Sequence, residues 1–349
     1  MKTAKKIQII LVLFTSIFLV NEALAQGSAQ DVSAINRVGT TAAQFLKIGA
    51  GARPIGMGSA YTALATDILS VYWNPAGLSR IGGYGEAIFN HSAWLADTKY
   101  NFAAFSINMS DFGAVAFQVI SFSTPDQPVR TIEQPDGTGQ TWDANSIALG
   151  ISYAKSLTDR FSIGFSAKYV GERIFNANSM GVAFDLGILY DTPIENLSLG
   201  ATVANFGSKM RMTGRDLYIN HDPIEDAGTV EAVPAEYRTE SYHLPLNLKF
   251  GLAWKALNNE NFTVLVAADG MQANDNAPSL NTGMEIGVKN IVYLRAGYKS
   301  LFLDESEESF TFGAGLRYDV VGTNLKFDFG WADFGRLKNV QFISLGIRY

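Results

Sequence analysis

The sequence contains no cysteine and only three histidines, and just 17% of its 349 residues are charged, against 47% hydrophobic. The lack of cysteine excludes a disulfide framework, a thiolate metal site and a lipoprotein-type acylated start. His91, His221 and His243 are scattered without zinc-type spacing, so no metal is expected. After residue 25 no stretch approaches eighteen uninterrupted apolar residues, which excludes a later transmembrane helix. Basic residues form no run and the formal net charge is −6, so nucleic acid is not an expected partner. No cofactor motif is complete either. "GAGARPIGMG" has the glycines of a phosphate-cradling loop, but no apolar strand precedes it and no βαβ unit surrounds it. A nucleophile needs a base within reach and a third group to orient it, and no such set is legible, so a non-enzymatic protein is expected.

The N-terminus supplies the compartment. Lys2, Lys5 and Lys6 precede an apolar run from Ile7 to Val20, and Ala23-Leu24-Ala25 offers a small-x-small cleavage site. The run is shorter than the roughly twenty residues a spanning helix needs. Residues 1–25 therefore read as a Sec signal peptide. Its removal takes away three Lys and Glu22, moving the formal charge from −6 to −8. An exported chain this poor in charge, with no helical spans, points to a transmembrane β-barrel, in which every backbone group is satisfied by a neighbouring strand.

Alternation supports that architecture. "FTFGAGLRY" puts Phe310, Phe312, Ala314, Leu316 and Tyr318 on one face and Thr311, Gly313, Gly315 and Arg317 on the other. "LKFDFGW" and "LNLKFGLAW" behave likewise, over lengths that suit a tilted strand crossing a bilayer. Strands are expected at 84–91, 100–109, 113–122, 146–155, 160–170, 181–190, 196–205, 246–255, 261–269, 282–289, 291–299, 309–318, 324–332 and 341–349. That is fourteen, an even number. The connections after odd strands have 8, 23, 10, 40, 12, 9 and 8 residues, and those after even strands 3, 4, 5, 5, 1 and 5. Short periplasmic turns and longer outer loops are the pattern of an outer-membrane barrel with both termini in the periplasm. The terminal Tyr349, closing "QFISLGIRY", fits a last strand of this kind.

Residues 26–83 do not alternate. Ser59 is read as an N-cap and Ala60 to Leu69, free of Gly and Pro, as a short helix. Pro75 fixes its own φ and biases Asn74 towards extended geometry, making "NPAG" a rigid corner. Fourteen strands enclose more space than their own side chains fill, so this segment is expected to plug the barrel as a hatch. The expected organisation is a signal at 1–25, a hatch at 26–83 and the barrel at 84–349.

"FLKIGAGARPIGMGSAYTALATD" followed by "VYWNPAGLSR" resembles the N-terminal signature of the PorV/PorQ family, within the FadL-like group of fourteen-stranded barrels. The residues that carry the resemblance include Phe45, Leu46, Gly49, Ala52, Arg53, Gly56, Met57, Gly58, Ala60, Ala65, Asp67, Asn74, Pro75 and Ala76. Gly77 completes the corner. The resemblance implies an outer-membrane protein linked to type IX protein secretion, with secretion-system proteins or exported cargo as partners. The alternative it implies is FadL-like transport of a hydrophobic ligand. Partner binding would use the outer loops 123–145 and 206–245; transport would use an apolar pocket between hatch and wall.

Parity along the strands places Lys168, Lys249, Lys289, Arg295, Arg317, Lys326 and Arg348 inside the barrel, with Asp185, Glu285 and Asp328. Such charges need pairing or water. "DGMQANDNAPSLN", from Asp269, lacks the spacing of a calcium loop and reads as a solvated turn.

Overall fold

The computed structural model describes residues 38–222, 233–303 and 306–349. The expected signal segment 1–25 and residues 26–37 of the expected hatch lie outside the described residues. The barrel wall is formed by β1 (Gly85–Ala93), β2 (Lys99–Asn108), β3 (Ala114–Ser123), β4 (Ala144–Ser156), β5 (Phe161–Ile174), β6 (Ala177–Asp191) and β7 (Leu197–Gly207). It continues through β8 (Asn247–Asn258), β9 (Phe262–Ala273), β10 (Ser279–Val288), β11 (Val292–Leu301), β12 (Phe310–Val320), β13 (Thr323–Asp333) and β14 (Asn339–Arg348). Each strand pairs antiparallel with its chain neighbours. Closure comes from β1 and β14, in register from Glu86 opposite Arg348 to Ala93 opposite Gln341. The Tyr349 carbonyl caps the seam by accepting from the N–H groups of Tyr84 and Gly85, and its hydroxyl donates to the Ser106 carbonyl. All fourteen expected strands are present, and no described helix is long and apolar enough to cross a membrane.

The alternation sorts the side chains as its period of two requires. Phe310, Phe312, Leu316 and Tyr318 of β12, Leu325 and Phe327 of β13, and Ile343, Leu345 and Ile347 of β14 are exposed on the outer face. This apolar band faces outer-membrane lipid. Inward positions hold polar, charged and glycine residues, together with buried apolar side chains such as Tyr100, Phe102 and Ile120.

The long–short rhythm is weaker than expected. β5 and β6 extend past their expected ends and meet at Phe175–Asn176, where a ten-residue loop was expected. Alternation continues through "ANSMGV", with Ala177, Ser179 and Gly181 inward and Met180 and Val182 outward, but the inward residues are small or polar and read as loop. The two long outer connections are confirmed in place. The one after β3 carries a short pairing of Gln127–Pro128 with Thr141–Trp142. The one after β7 contains a hairpin of Tyr218–His221 with Val233–Glu236, and Thr213–Gly214 pairs with the start of β6.

Candidate functional site

The hatch residues from Ala43 to Ile81 fill the interior of the barrel. Tyr61, Ile68, Val71 and Leu78 are fully buried, and they share one core with inward residues of the wall such as Tyr100, Phe102 and Ile120. The expected helix over 60–69 does not form. The α-helical turns are Ala52–Gly56 and Ser70–Trp73, followed by a 3₁₀ turn at Pro75–Arg80. Ser59 has a left-handed φ of 64° and caps nothing. The reason is that wall side chains satisfy the hatch backbone. Asp269 accepts from the Tyr61 and Thr62 N–H groups at 2.8 Å each, Thr311 Oγ1 from Gly58 N at 2.9 Å, and Ser344 Oγ from Ala52 N at 2.8 Å. With acceptors supplied from the wall, the segment need not form its own ladder.

Glycine lets the two backbones meet. Four directly opposed pairs face the hatch: Gly164 with Gly187, Gly200 with Gly251, Gly283 with Gly297, and Gly313 with Gly330. A Cβ on Gly187 would lie 2.1 Å from Asn74 Oδ1, and one on Gly164 would lie 2.2 Å from the Pro75 carbonyl carbon. The Asn-Pro corner thus seats against bare backbone of β5 and β6. Asn74 is fully buried; its Nδ2 donates to the Thr62 carbonyl at 2.8 Å and the Ile188 carbonyl at 2.9 Å, and its Oδ1 accepts from Ala76 N at 3.2 Å. Asn74 therefore caps its own turn and ties it to both hatch and wall. Within the hatch, Gly77 passes against the Ala65 carbonyl, and Gly49 and Gly58 have positive φ. Gly56 lies on Gly313.

Charge holds the opposite side. Arg53 makes a two-pronged contact with Glu285, Nη2 to Oε1 at 2.8 Å and Nε to Oε2 at 2.9 Å, and donates through Nη1 to Asp67 at 3.1 Å and to the Tyr61 hydroxyl at 3.0 Å. The Tyr61 hydroxyl donates to Asp67 at 2.6 Å. Glu285 in turn meets Arg295, its cross-strand partner, at 2.6 Å; Arg295 meets Asp328 at 2.8 Å, and Asp328 meets Arg317 at 2.9 Å. Three arginines thus alternate with three carboxylates. Burial pushes the Asp67 carboxyl up, but the Arg53 guanidinium, together with Lys326, the Tyr61 hydrogen bond and Arg317, outweighs this and holds it below the ordinary carboxylate range.

The remaining inward charges divide. Lys168 pairs with Asp185 at 2.8 Å, and Lys326 and Arg348 both pair with Glu86. Glu86 was not singled out from the sequence, although its parity with Ile88, Asn90 and Ser92 in β1 would have placed it inside. Lys289 is a correction: it lies exposed in the turn between β10 and β11 with a φ of 50°, because β10 ends at Val288. Asp269 and Asp275 are a second correction, since neither is a solvated turn residue. Asp269 is in β9 and fully buried, and Asp275 takes hydrogen bonds from Thr41, Gln44 and Lys47 of the hatch.

On the outer-loop side of the hatch a cavity of about 240 Å³ remains. Lys47, Lys168, Lys249 and Lys299 line it, together with Tyr72 and Trp73. Among the described residues no cluster of three or more His, Cys, Asp or Glu could hold a metal.

Residues 31–181 match a family model described as type IX secretion system protein PorV. No curated protein matches the sequence. Among solved structures, the chain is similar to the Pseudomonas putida toluene transporter TodX, at 14% identity and a TM-score of 0.53 over 86% of this chain and 97% of that one. It is similar to the monoaromatic hydrocarbon channel CymD at 13% identity and a TM-score of 0.52, over 86% and 96%. The Ralstonia pickettii toluene transporter TbuX gives 12% identity and a TM-score of 0.51, over 86% and 97%. These likenesses are of fold: a closed antiparallel barrel of the FadL-like kind. The family match spans the hatch and the strands up to the first part of β6, the segment that carries the Arg53–Asp67 pair and the Asn74-Pro75 corner. The chain is an outer-membrane β-barrel whose residues 31–181 match the PorV family model.

Proposed function

We propose that this protein is a non-enzymatic outer-membrane component of type IX protein secretion, binding exported proteins or secretion-system subunits through its outer loops. The observation that carries the reading is how the lumen is filled. The hatch is tied to the wall by backbone contact at glycine, by wall side chains on its N–H groups and by a buried ion-pair chain. A barrel so filled works by the surface it presents. The hydrophobic-transport alternative calls for an apolar pocket between hatch and wall, whereas the cavity there is ringed by four lysines. The outer connections carry exposed Ile132, Tyr218, Tyr237 and Tyr242. Tyrosine supplies contact area together with a polar tip, which suits a protein interface.

The test is purification from native membranes in gentle detergent. Co-purification with secreted proteins that share a C-terminal domain, or with secretion-channel subunits, is expected, and should be lost when the 206–245 loop is shortened. Recovery of the barrel with bound lipid and no protein partner, together with lost uptake of a hydrophobic substrate on deletion, would favour transport instead.

A further inference from the structure

Outside the barrel wall, the loop after β7 builds a sheet of its own, Tyr218–His221 paired antiparallel with Val233–Glu236. The Tyr237 N–H donates to the Leu217 carbonyl at 2.8 Å, which fixes the alternation of the ladder. Ile219 and His221 turn their backbone groups towards the partner strand, whereas Tyr218 and Asn220 turn theirs away. Consistent with this, the Tyr218 N–H donates back to the Arg215 carbonyl. The two edges of the hairpin are therefore unlike. On one, the position opposite Asn220 is Pro234, which has no N–H to offer a further strand. On the other, the Asn220 N–H and the carbonyls of Tyr218 and Asn220 have no partner among the described residues. One edge is closed to pairing and the other is open.

We propose that the open edge, at Tyr218 and Asn220, takes an extended segment of a protein partner, rich in lysine or arginine, as a third strand. The inference rests on the partner-binding reading of the outer loops and names how they bind. Three outward backbone groups supply the hydrogen bonds, and a third strand stabilises a hairpin that is marginal alone. A surface groove of about 450 Å³ runs along the hairpin, lined by Tyr218, Ile219, Asn220, Pro234, Ala235 and Glu236. Tyr218 is 64% exposed and offers its ring to a β-branched neighbour on the added strand. Charge sets the preference. Residues 206–245 carry seven Asp and Glu against four Lys and Arg, and Glu236 stands exposed in the groove, so basic side chains complement it.

The test uses the full-length barrel in non-ionic detergent, its folding verified by heat-modifiable gel migration, and a short fluorescent peptide alternating lysine with valine. Saturable binding is expected. Asn220→Ala keeps the N–H and should bind as the wild type does. Asn220→Pro removes the N–H without touching the hairpin's own bonds, and should weaken binding about tenfold or more. A copy of the peptide N-methylated along its backbone, and one alternating glutamate with valine, should be weakened to a similar degree. No saturable binding by the wild-type barrel, undiminished binding by a folded Asn220→Pro, or equal binding of the glutamate peptide would each overturn the proposal. If Asn220→Pro fails to fold, the N-methylated peptide on the wild-type barrel decides, and its undiminished binding would overturn the proposal. Secreted proteins that co-purify with Asn220→Pro as they do with the wild type would reject this edge and leave the outer-loop reading standing; their absence from the wild-type barrel would sink that reading and this inference with it.

Discussion

Replacing Asn74 by alanine should unseat the hatch while leaving the wall intact. The side chain makes three hydrogen bonds in a fully buried site, to the Thr62 carbonyl, the Ile188 carbonyl and Ala76 N. Loss of an N-cap costs about 1 kcal/mol, and each buried backbone group left without a partner adds about 1–3 kcal/mol. Carbonyls can keep a second bond, so about 3–5 kcal/mol of hatch seating is expected to go. At 1.4 kcal/mol per tenfold, the ratio of seated to unseated hatch falls by about a hundredfold or more. Gly187→Ala attacks the same contact from the wall, since its Cβ would meet Asn74 Oδ1 at 2.1 Å. Gly270→Ala is the control, because its Cβ would meet only the Phe250 carbonyl at 4.0 Å. The assay is sensitivity of cells to a large antibiotic normally excluded by the outer membrane, at matched surface levels of heat-modifiable barrel. Asn74→Ala and Gly187→Ala should raise sensitivity and Gly270→Ala should not. Unchanged sensitivity in both of the first two, at normal surface levels, would refute the seating argument.

Arg53→Met leaves Asp67 and Glu285 short of a partner in a buried site, which should cost about 3–5 kcal/mol of stability by thermal unfolding; adding Asp67→Asn should recover part of it, because one uncompensated carboxylate is then removed. Acid should loosen the hatch. Asp67 is held low against burial by Arg53 acting with Lys326, the Tyr61 hydrogen bond and Arg317, and Asp275 is held low, also against burial, by hydrogen bonds from Gln44, Thr41 and Lys47. Depressed carboxylates contribute fully above the ordinary range near pH 4 and lose that contribution as pH falls through their lower folded values. Protease accessibility of the hatch should therefore rise below about pH 4 and stay flat between neutrality and mild alkali. Protease added to intact cells should cut within the 206–245 loop and spare the 192–196 turn; the reverse pattern would invert the orientation.

The wall was legible in the sequence because a period of two is imposed residue by residue: Phe327 outward and Asp328 inward follow from position alone. Alternation fails where it meets a turn, as at Lys289, whose parity pointed inward although its strand had ended. It is also hidden where inward residues are small or polar, as at Ala177 and Ser179. That residues 43–81 belong inside the barrel was legible in their lack of alternation, but their conformation was not. Tyr61, Thr62, Ala63 and Ala65 are all buried, so no amphipathic face marks a helix or its absence. The Tyr61 and Thr62 N–H groups bond to Asp269, and Gly200 and Gly251 lie against Thr62 and Ala63, all far away in sequence. The Arg53–Glu285 contact is likewise a product of closure. Each residue could be picked out, one from the hatch signature and one from strand parity, but nothing local joins them.

The central claim is that this barrel works with its hatch seated, by its outer surface rather than as a conduit. Hatch residue Ser79 and wall residue Ser156 have their hydroxyl oxygens 3.1 Å apart, and with no native cysteine a Ser79→Cys/Ser156→Cys pair has only one intramolecular bridge to form, with dimers excluded by non-reducing gel. The decisive measurement is the rate of type IX cargo export in cells carrying that pair, oxidised and then reduced. The account predicts equal export in both states. Export that stops on oxidation and returns on reduction would show that the hatch must move, and would contradict it.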